Sequence, residues 1–349
     1  MIYYYTHSPH EHGLETKALV EHIRKRPGMY IIGKCGDGSL EYDGIYTLFM
    51  YALEAVLENM PIIENTIYIN NTDKSISIDC KLAECPDSFF PKDEKLPPIY
   101  SSGYMISVIA ALSSEYVLED TVSITFTPDE LIFDKDFYFR DKFINEYIKR
   151  YSTVNPEIKF IYKGTEIFSP HGMKDFIEWK FDNLLLPTIH ISGEGIDIAI
   201  NAVKNLNGKM RNQYTSFNNV WNGRYSSETE SFITSTVSVL NSYYGLSLNI
   251  EDYYGLILQP IDDHHPEEHY MHEEKFPENL VGALWIKVDE PFYNFSQERT
   301  LSSKWLDKAE SITVEDFVSK FIETELPKYL DDNPACAKKL RELLTTIRC

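Results

Sequence analysis

The chain is poor in positive charge and has no long apolar run. Its 349 residues hold 33 Lys and Arg against 54 Asp and Glu, a net charge of −21. Duplex DNA is bound through cations that neutralise phosphates and release counterions. This balance makes DNA a doubtful partner unless basic residues gather on one face. No stretch approaches the roughly 18 apolar residues of a membrane-spanning helix. The opening MIYYYTHSPHEHG lacks the cationic and apolar regions of a secretory signal. A cytoplasmic protein without a membrane partner is expected. Five cysteines (Cys35, Cys80, Cys85, Cys336 and Cys349) include no CxxC pair, so neither a disulfide framework nor a zinc ribbon is indicated. There is no GxSxG elbow for nucleophilic catalysis, no internal repeat and no low-complexity segment.

Hydrophobic residues make up 43% of the chain and aromatics 13%, enough for a sizeable core. The length suits two domains or one large one. The most informative stretch is 19–59. Arg24-Lys25-Arg26 is stopped by Pro27-Gly28, and an apolar segment follows from Met29 to Ile32. A loop then carries Gly33, Gly36 and Gly38. From Gly44 to Asn59, the residues Ile45, Leu48, Phe49, Ala52, Leu53, Val56 and Leu57 recur at i, i+3, i+4 and predict a helix with one apolar face. Pro27 and Gly28 should fix a turn, with Met29, Tyr30 and Ile31 packed in a core.

The heptapeptide Arg24 to Tyr30, RKRPGMY, resembles the opening of the ATPase region of type IIA topoisomerase B subunits, those of gyrase and topoisomerase IV, in the GHKL family. The resemblance implies an α+β chain in two units. A GHKL (Bergerat-type) α/β sandwich would cover 17–185 after an N-terminal arm at 1–16. A transducer-like βαβ domain (ribosomal S5 domain 2-like) with closing helices would cover 186–349. In the family the arm reaches a second protomer, which implies a homodimer; a loosely ordered terminus is the plain alternative. The family's downstream metal-binding catalytic domain is missing from this sequence, so the resemblance does not extend to strand passage by this chain alone.

Further along, Thr66–Ile69 and Ser75–Ile78 alternate around a polar turn and predict a hairpin. A loop follows over 85–100, then a buried helix from Gly103 to Ser113. Val122–Phe126 and Glu130–Phe133 read as a strand pair, Pro156–Lys163 as a strand, and 173–184 as a helix. In the second unit, strands are expected over Asp197–Ala202 and Leu280–Val288, and helices over 228–244, 314–329 and 333–347. Phe217-Asn218-Asn219 resembles the family's FxNN strand end, although the turn after it keeps only the layout. The four tryptophans read as core anchors.

The resemblance also implies where a nucleotide site would lie. Aligned on Gly44, Tyr51 occupies the family's general base, a Glu, while Glu54 stands for an Asp and Ala55 for the magnesium-ligating Asn. A phenol with an ordinary pKa near 10 does not activate water at neutral pH, and a methyl group cannot ligate Mg²⁺. Glu54 and Glu58 are then expected to be solvated helix charges. Lys81 falls on the adenine-reading Asp and is a donor only; a short slip would bring Asp79 there, still without the family's glycines. Of the Gly-rich lid only Gly103 remains. Glu298 or Arg299, depending on a one-residue gap, takes the place of the lysine that touches the γ-phosphate.

These departures favour a catalytically silent protein with no cofactor, acting on itself, a topoisomerase subunit or another protein. The alternative is an ATPase using ATP and Mg²⁺ at a rearranged site, with Glu54 or Glu58 as base and Asp79 reading adenine. A weaker metal cluster, His264, His265, His269 and His272 with intervening Glu residues, has the residue types for a divalent cation but reads as an acidic surface loop. Lys338, Lys339, Arg341 and Arg348 could meet a nucleic acid, or simply complement the end of a closing helix.

Overall fold

The computed structural model describes residues 3–6, 14–57, 62–82, 102–119, 123–204, 214–219, 221–223, 227–249, 278–288, 305–307 and 312–346. The chain divides into two compact units between Pro170 and His171.

In the first unit, β1 (Tyr3–Thr6), α1 (Leu14–Lys25), α2 (Gly44–Leu57), β2 (Ile62–Asn71), β3 (Ile76–Leu82), α3 (Ser102–Leu112), β4 (Ser113–Glu119), β5 (Ser123–Pro128), α4 (Asp141–Val154), β6 (Lys159–Tyr162) and β7 (Thr165–Ile167) follow in order. The strands form one sheet in the order β1-β4-β5-β3-β2-β6-β7. Only β2 and β6 among the pairings are parallel. Alternation decides the faces. Ile67, Ile69, Ile76, Ile78, Ile124 and Phe126 are fully buried on the side where α2 and α3 pack. The expected hairpin is β2 and β3, with Ile69 opposite Ile78.

Several expectations change here. Glu130–Phe133 is a turn, not a strand. The Asp129 carboxylate accepts from Leu131 N at 2.9 Å, and its carbonyl accepts from Ile132 and Phe133. The partner of β5 is β4, the SSEYVLE run directly after α3. Tyr3–Thr6 of the expected arm adds an edge strand along β4. Met29 is 53% exposed rather than packed, because Pro27–Met29 closes as a 3-10 turn that sends only Ile31 fully inward. Helix α4 has no counterpart in the sequence reading.

The second unit contains α5 (Met173–Lys180), β8 (Ile189–Gly193), β9 (Ile196–Lys204), β10 (Tyr214–Asn218), β11 (Trp221–Gly223), α6 (Ser227–Tyr244), β12 (Glu278–Ile286), β13 (Trp305–Asp307), β14 (Ile312–Thr313), α7 (Val314–Asp332) and α8 (Pro334–Thr346). Its main sheet has the order β11-β10-β12-β9-β8, with β10 parallel to β12 across the α6 connection. One face meets α6 and α7. There Ile196, Ile198 and Ile200 join Val314, Val318, Ile322, Leu326 and Leu330, whose four-residue spacing makes one apolar stripe. Thr313 caps α7 by accepting from Asp316 N at 3.0 Å. The other face carries α5, where Phe176 meets Phe217 edge-on at 5.2 Å and Asp197 accepts from Met173 N at 2.9 Å. Helix α5 thus packs on β9 and β12, whereas the sequence reading places it at the end of the first domain.

Candidate functional site

Helix α2 is apolar nearly all round. From Ile45 to Leu57 only Met50 is not buried. A helix of that composition must be enclosed by other elements, and α3 and α4 supply two of its walls. Tyr46 meets Phe143 and Tyr147 of α4 edge-on or tilted at 5.4 and 6.2 Å. Before the helix, the Gly-rich loop is stapled in place. Tyr46 Oη and Arg140 Nε both donate to Gly38 O, at 2.9 and 3.0 Å. Gly38 has φ +79° and sits against the Tyr138 carbonyl, so a side chain there would be strained and crowded. Tyr147 Oη donates to Glu41 O at 2.8 Å, and the Arg150 guanidinium pairs with the Glu41 carboxylate. Burial acts to lower the Arg150 pKa, but Glu41, Tyr147 and Tyr42 together more than offset it, so the net shift is upward. Burial pushes the Tyr147 hydroxyl well up and Tyr46 up to about 12.

Tyr51, at the position the resemblance gives to the base, is 1% exposed. Its hydroxyl donates to Tyr30 O at 2.7 Å, inside the RKRPGMY segment. Its ring meets Tyr104 of α3 edge-on at 6.2 Å, and Tyr104 in turn tilts against Tyr30 at 6.3 Å. Three tyrosines therefore close the wall between α2 and α3. Ala55 is buried beside them, one turn further along α2. The same segment is anchored by Arg24, which donates to Ala111 O at 2.9 Å and pairs with Asp129 at 2.5 Å.

Glu54 overturns an expectation. It is fully buried, not solvated, and Tyr151 Oη of α4 donates to its carboxylate. A carboxylate shut away from water needs such a donor. Tyr151 escaped the sequence reading because α4 did. The signal was present, since Phe143, Ile144, Tyr147, Ile148 and Tyr151 fall on one helical face.

The structure does not bring the other candidates to this place. Ile78 and Cys80 of β3 are buried toward the helices, which puts Asp79 on the opposite face of the sheet. There Asp79 accepts from Ser123 Oγ at 2.5 Å. Lys81 is exposed on that face and pairs with Glu64 at 3.3 Å. Gly103 is buried in the first turn of α3, and its carbonyl accepts from Ser107. Glu58, Glu298, Arg299, Arg348 and the His264, His265, His269 and His272 cluster lie outside the described residues. Among the described residues no group of three His, Cys, Asp or Glu could hold a metal ion. Lys338, Lys339 and Arg341 are exposed on α8 next to Glu342, with Lys338 at 4.0 Å from it.

Among the described residues, the positions that the resemblance assigns to ATP and Mg²⁺ hold other groups. The base position donates to a carbonyl, the metal-ligand position is a methyl, and Asp79 lies across the sheet from Glu54.

No helix among the described residues is long and apolar enough to cross a membrane. No family model matches the sequence, and no curated protein matches it. Solved structures do match it. The 43K ATPase domain of Thermus thermophilus gyrase B, in complex with an aminocoumarin, is similar over 94% of this chain and 94% of that chain, with TM-score 0.60 and 17% identity. The topoisomerase IV ATP-binding domain of Francisella tularensis, in complex with a small-molecule inhibitor, matches over 94% and 96%, with TM-score 0.59 and 15% identity. The ATPase region of Saccharomyces cerevisiae topoisomerase II matches over 90% and 96%, with TM-score 0.57 and 13% identity. At these identities the likeness is one of fold: the chain has the α+β architecture of the GHKL ATPase and transducer domains of gyrase B.

Proposed function

We propose that this gyrase-B-like chain acts by binding, without turning over a nucleotide, and that its partner is a second copy, a topoisomerase subunit or another protein. The observation that carries this reading is Tyr51. General-base attack by water needs a group that accepts a proton near neutral pH. Tyr51 instead presents a buried phenol that donates to Tyr30 O and packs on Tyr104. In this reading the RKRPGMY segment serves as structure, with Arg24 tying α1 to Ala111 and Asp129.

One observation favours the rival reading, an ATP- and Mg²⁺-dependent ATPase. Glu54 is a carboxylate on α2, one turn from Tyr51. To act on water it would have to leave Tyr151 and reach solvent from full burial.

A calorimetric and thermal-shift titration with Mg-ATP and a non-hydrolysable analogue separates the two. A ligand that binds only the folded chain adds about 2.7 kcal/mol at a hundred times its dissociation constant. The expected result is no shift at millimolar nucleotide and no phosphate release. A saturable shift together with phosphate release that Glu54→Gln abolishes would establish the rival. Self-association has its own test: a chain starting at Thr16 that keeps the molar mass of the full chain in solution rules out dimerisation through the N-terminal arm.

A further inference from the structure

The Gly-rich loop of the first unit combines exposed apolar side chains with a pinned backbone. Leu40 and Tyr42 are 63% and 47% exposed, on either side of Glu41, whose carboxylate turns in to Arg150. Tyr138, at 40% exposure, runs alongside, its N–H donating to Asp37 O at 3.1 Å. Leu40 N donates to Asp43 Oδ2 at 3.0 Å, and the Gly38 and Glu41 carbonyls are held by Tyr46, Arg140 and Tyr147. Single exposed apolar residues are ordinary. Three along two adjoining, pinned segments offer contact area at little cost in ordering.

Arg140 adds direction. Its Nε donates to Gly38 O at 3.0 Å and its guanidinium lies over the Tyr138 ring at 4.3 Å, so its plane is fixed twice. Among the described residues its two terminal nitrogens meet no acceptor. Ser39, and to a smaller extent Arg140, hold the Asp37 carboxyl below the usual range, and Ser39 N occupies Asp37 Oδ1 at 2.9 Å. Lys142 is exposed with its ammonium over the Phe143 ring at 4.3 Å, and among the described residues it meets no acid. Asp141 between them is turned to Lys163. A guanidinium fixed in plane with its far edge open matches the two oxygens of one carboxylate or phosphate. Nucleic acid would set many phosphates against a chain of net charge −21, whereas a peptide brings one carboxylate beside apolar side chains. At physiological salt charges are screened within about 8 Å, so a single acidic residue meets the local cations rather than the net charge.

We propose that Arg140 with Leu40, Tyr42 and Tyr138 docks an acidic peptide segment of a partner protein, its Asp or Glu carboxylate on the Arg140 fork and a neighbouring aliphatic or aromatic side chain on the apolar residues. This rests on the reading of the chain as a binding protein, and names the surface and the chemistry of the partner.

Selection of short random peptides displayed on phage against the immobilised full chain tests it. Enriched peptides should carry Asp or Glu beside Leu, Phe, Tyr or Trp, and the synthetic peptide should bind Arg140→Gln about tenfold more weakly. Arg140→Lys keeps the charge without the fork and should not restore binding. If the Arg140 variants do not fold, Leu40→Ser alters a side chain that stands mostly in solvent and should weaken the same peptide. A selection without acidic enrichment, or displacement of the peptide by an equal concentration of a single-stranded oligonucleotide, would overturn the proposal. Peptides that bind the unaltered chain and every variant equally would also overturn it, while leaving the binding reading intact; the nucleotide titration reports on that reading separately.

Discussion

Glu54 in the first unit and Glu228 in the second are both fully buried on helices, yet they are held in different ways. Glu54 lies in the middle of α2, where the helix's own N–H groups are used by its own carbonyls, and its donor is the Tyr151 hydroxyl of α4. Glu228 lies in the first turn of α6, where free N–H groups and the helix dipole favour a carboxylate, and its side-chain donor is the Asn218 amide of β10. The first arrangement is a tertiary lock between two helices. The second is a helix-end carboxylate seated on a strand. A buried acid is therefore not by itself a catalytic signal, because in both units it meets a side-chain donor from another element.

Tyr151→Phe removes the hydroxyl that Glu54 accepts from, and should cost about 2–3 kcal/mol in denaturant unfolding. Adding Glu54→Leu should restore part of that loss; no restoration would mean that the lock is not pairwise. Gly282→Ala should cost about 1–3 kcal/mol by driving a methyl toward Phe232 and Tyr214, and so displace the contact between β10 and α6 that holds Glu228. Glu228→Gln keeps shape but removes the charge at the end of α6, and should cost about 1 kcal/mol. A larger loss than that of Tyr151→Phe would reverse the ranking of the two sites. The smallest effect is on the surface: Lys163→Met breaks an exposed pair with Asp141 at 2.8 Å and should cost under about 1 kcal/mol.

A pH scan adds a separate handle on the first unit. Burial raises Tyr46 from 10 to about 12. A group whose folded pKa is raised stabilises the fold below its unfolded value and loses that contribution as pH climbs through the folded one. Stability should therefore fall from about pH 10 upward, and Tyr46→Phe should make that limb shallower without removing it, because Tyr147 and Tyr162 are raised as well.

The same two regions show how much the sequence disclosed. The RKRPGMY segment and the apolar period of α2 were legible because each is a local pattern: a Pro-Gly stop and an i, i+3, i+4 stripe. The β2–β3 hairpin was legible for the same reason. The burial of Glu54 is not legible in the sequence, because an isolated Glu on a helix is usually solvated. Helix α4, folded back over α2 from about a hundred residues later, brings the Tyr151 hydroxyl to it. Glu130–Phe133 looked like a strand by composition, but the Asp129 side chain turns it.

By itself the sequence determined the local periods, the turn chemistry, the acidic balance and the tyrosine and alanine at positions 51 and 55. Those properties reside in single residues and their near neighbours. The tertiary structure alone decided which side chains meet. It set Asp79 across the sheet from Glu54, closed the α2–α3 wall with Tyr30, Tyr51 and Tyr104, and brought Asn218 against Glu228. Such meetings depend on how distant elements pack around one core, which no local pattern encodes.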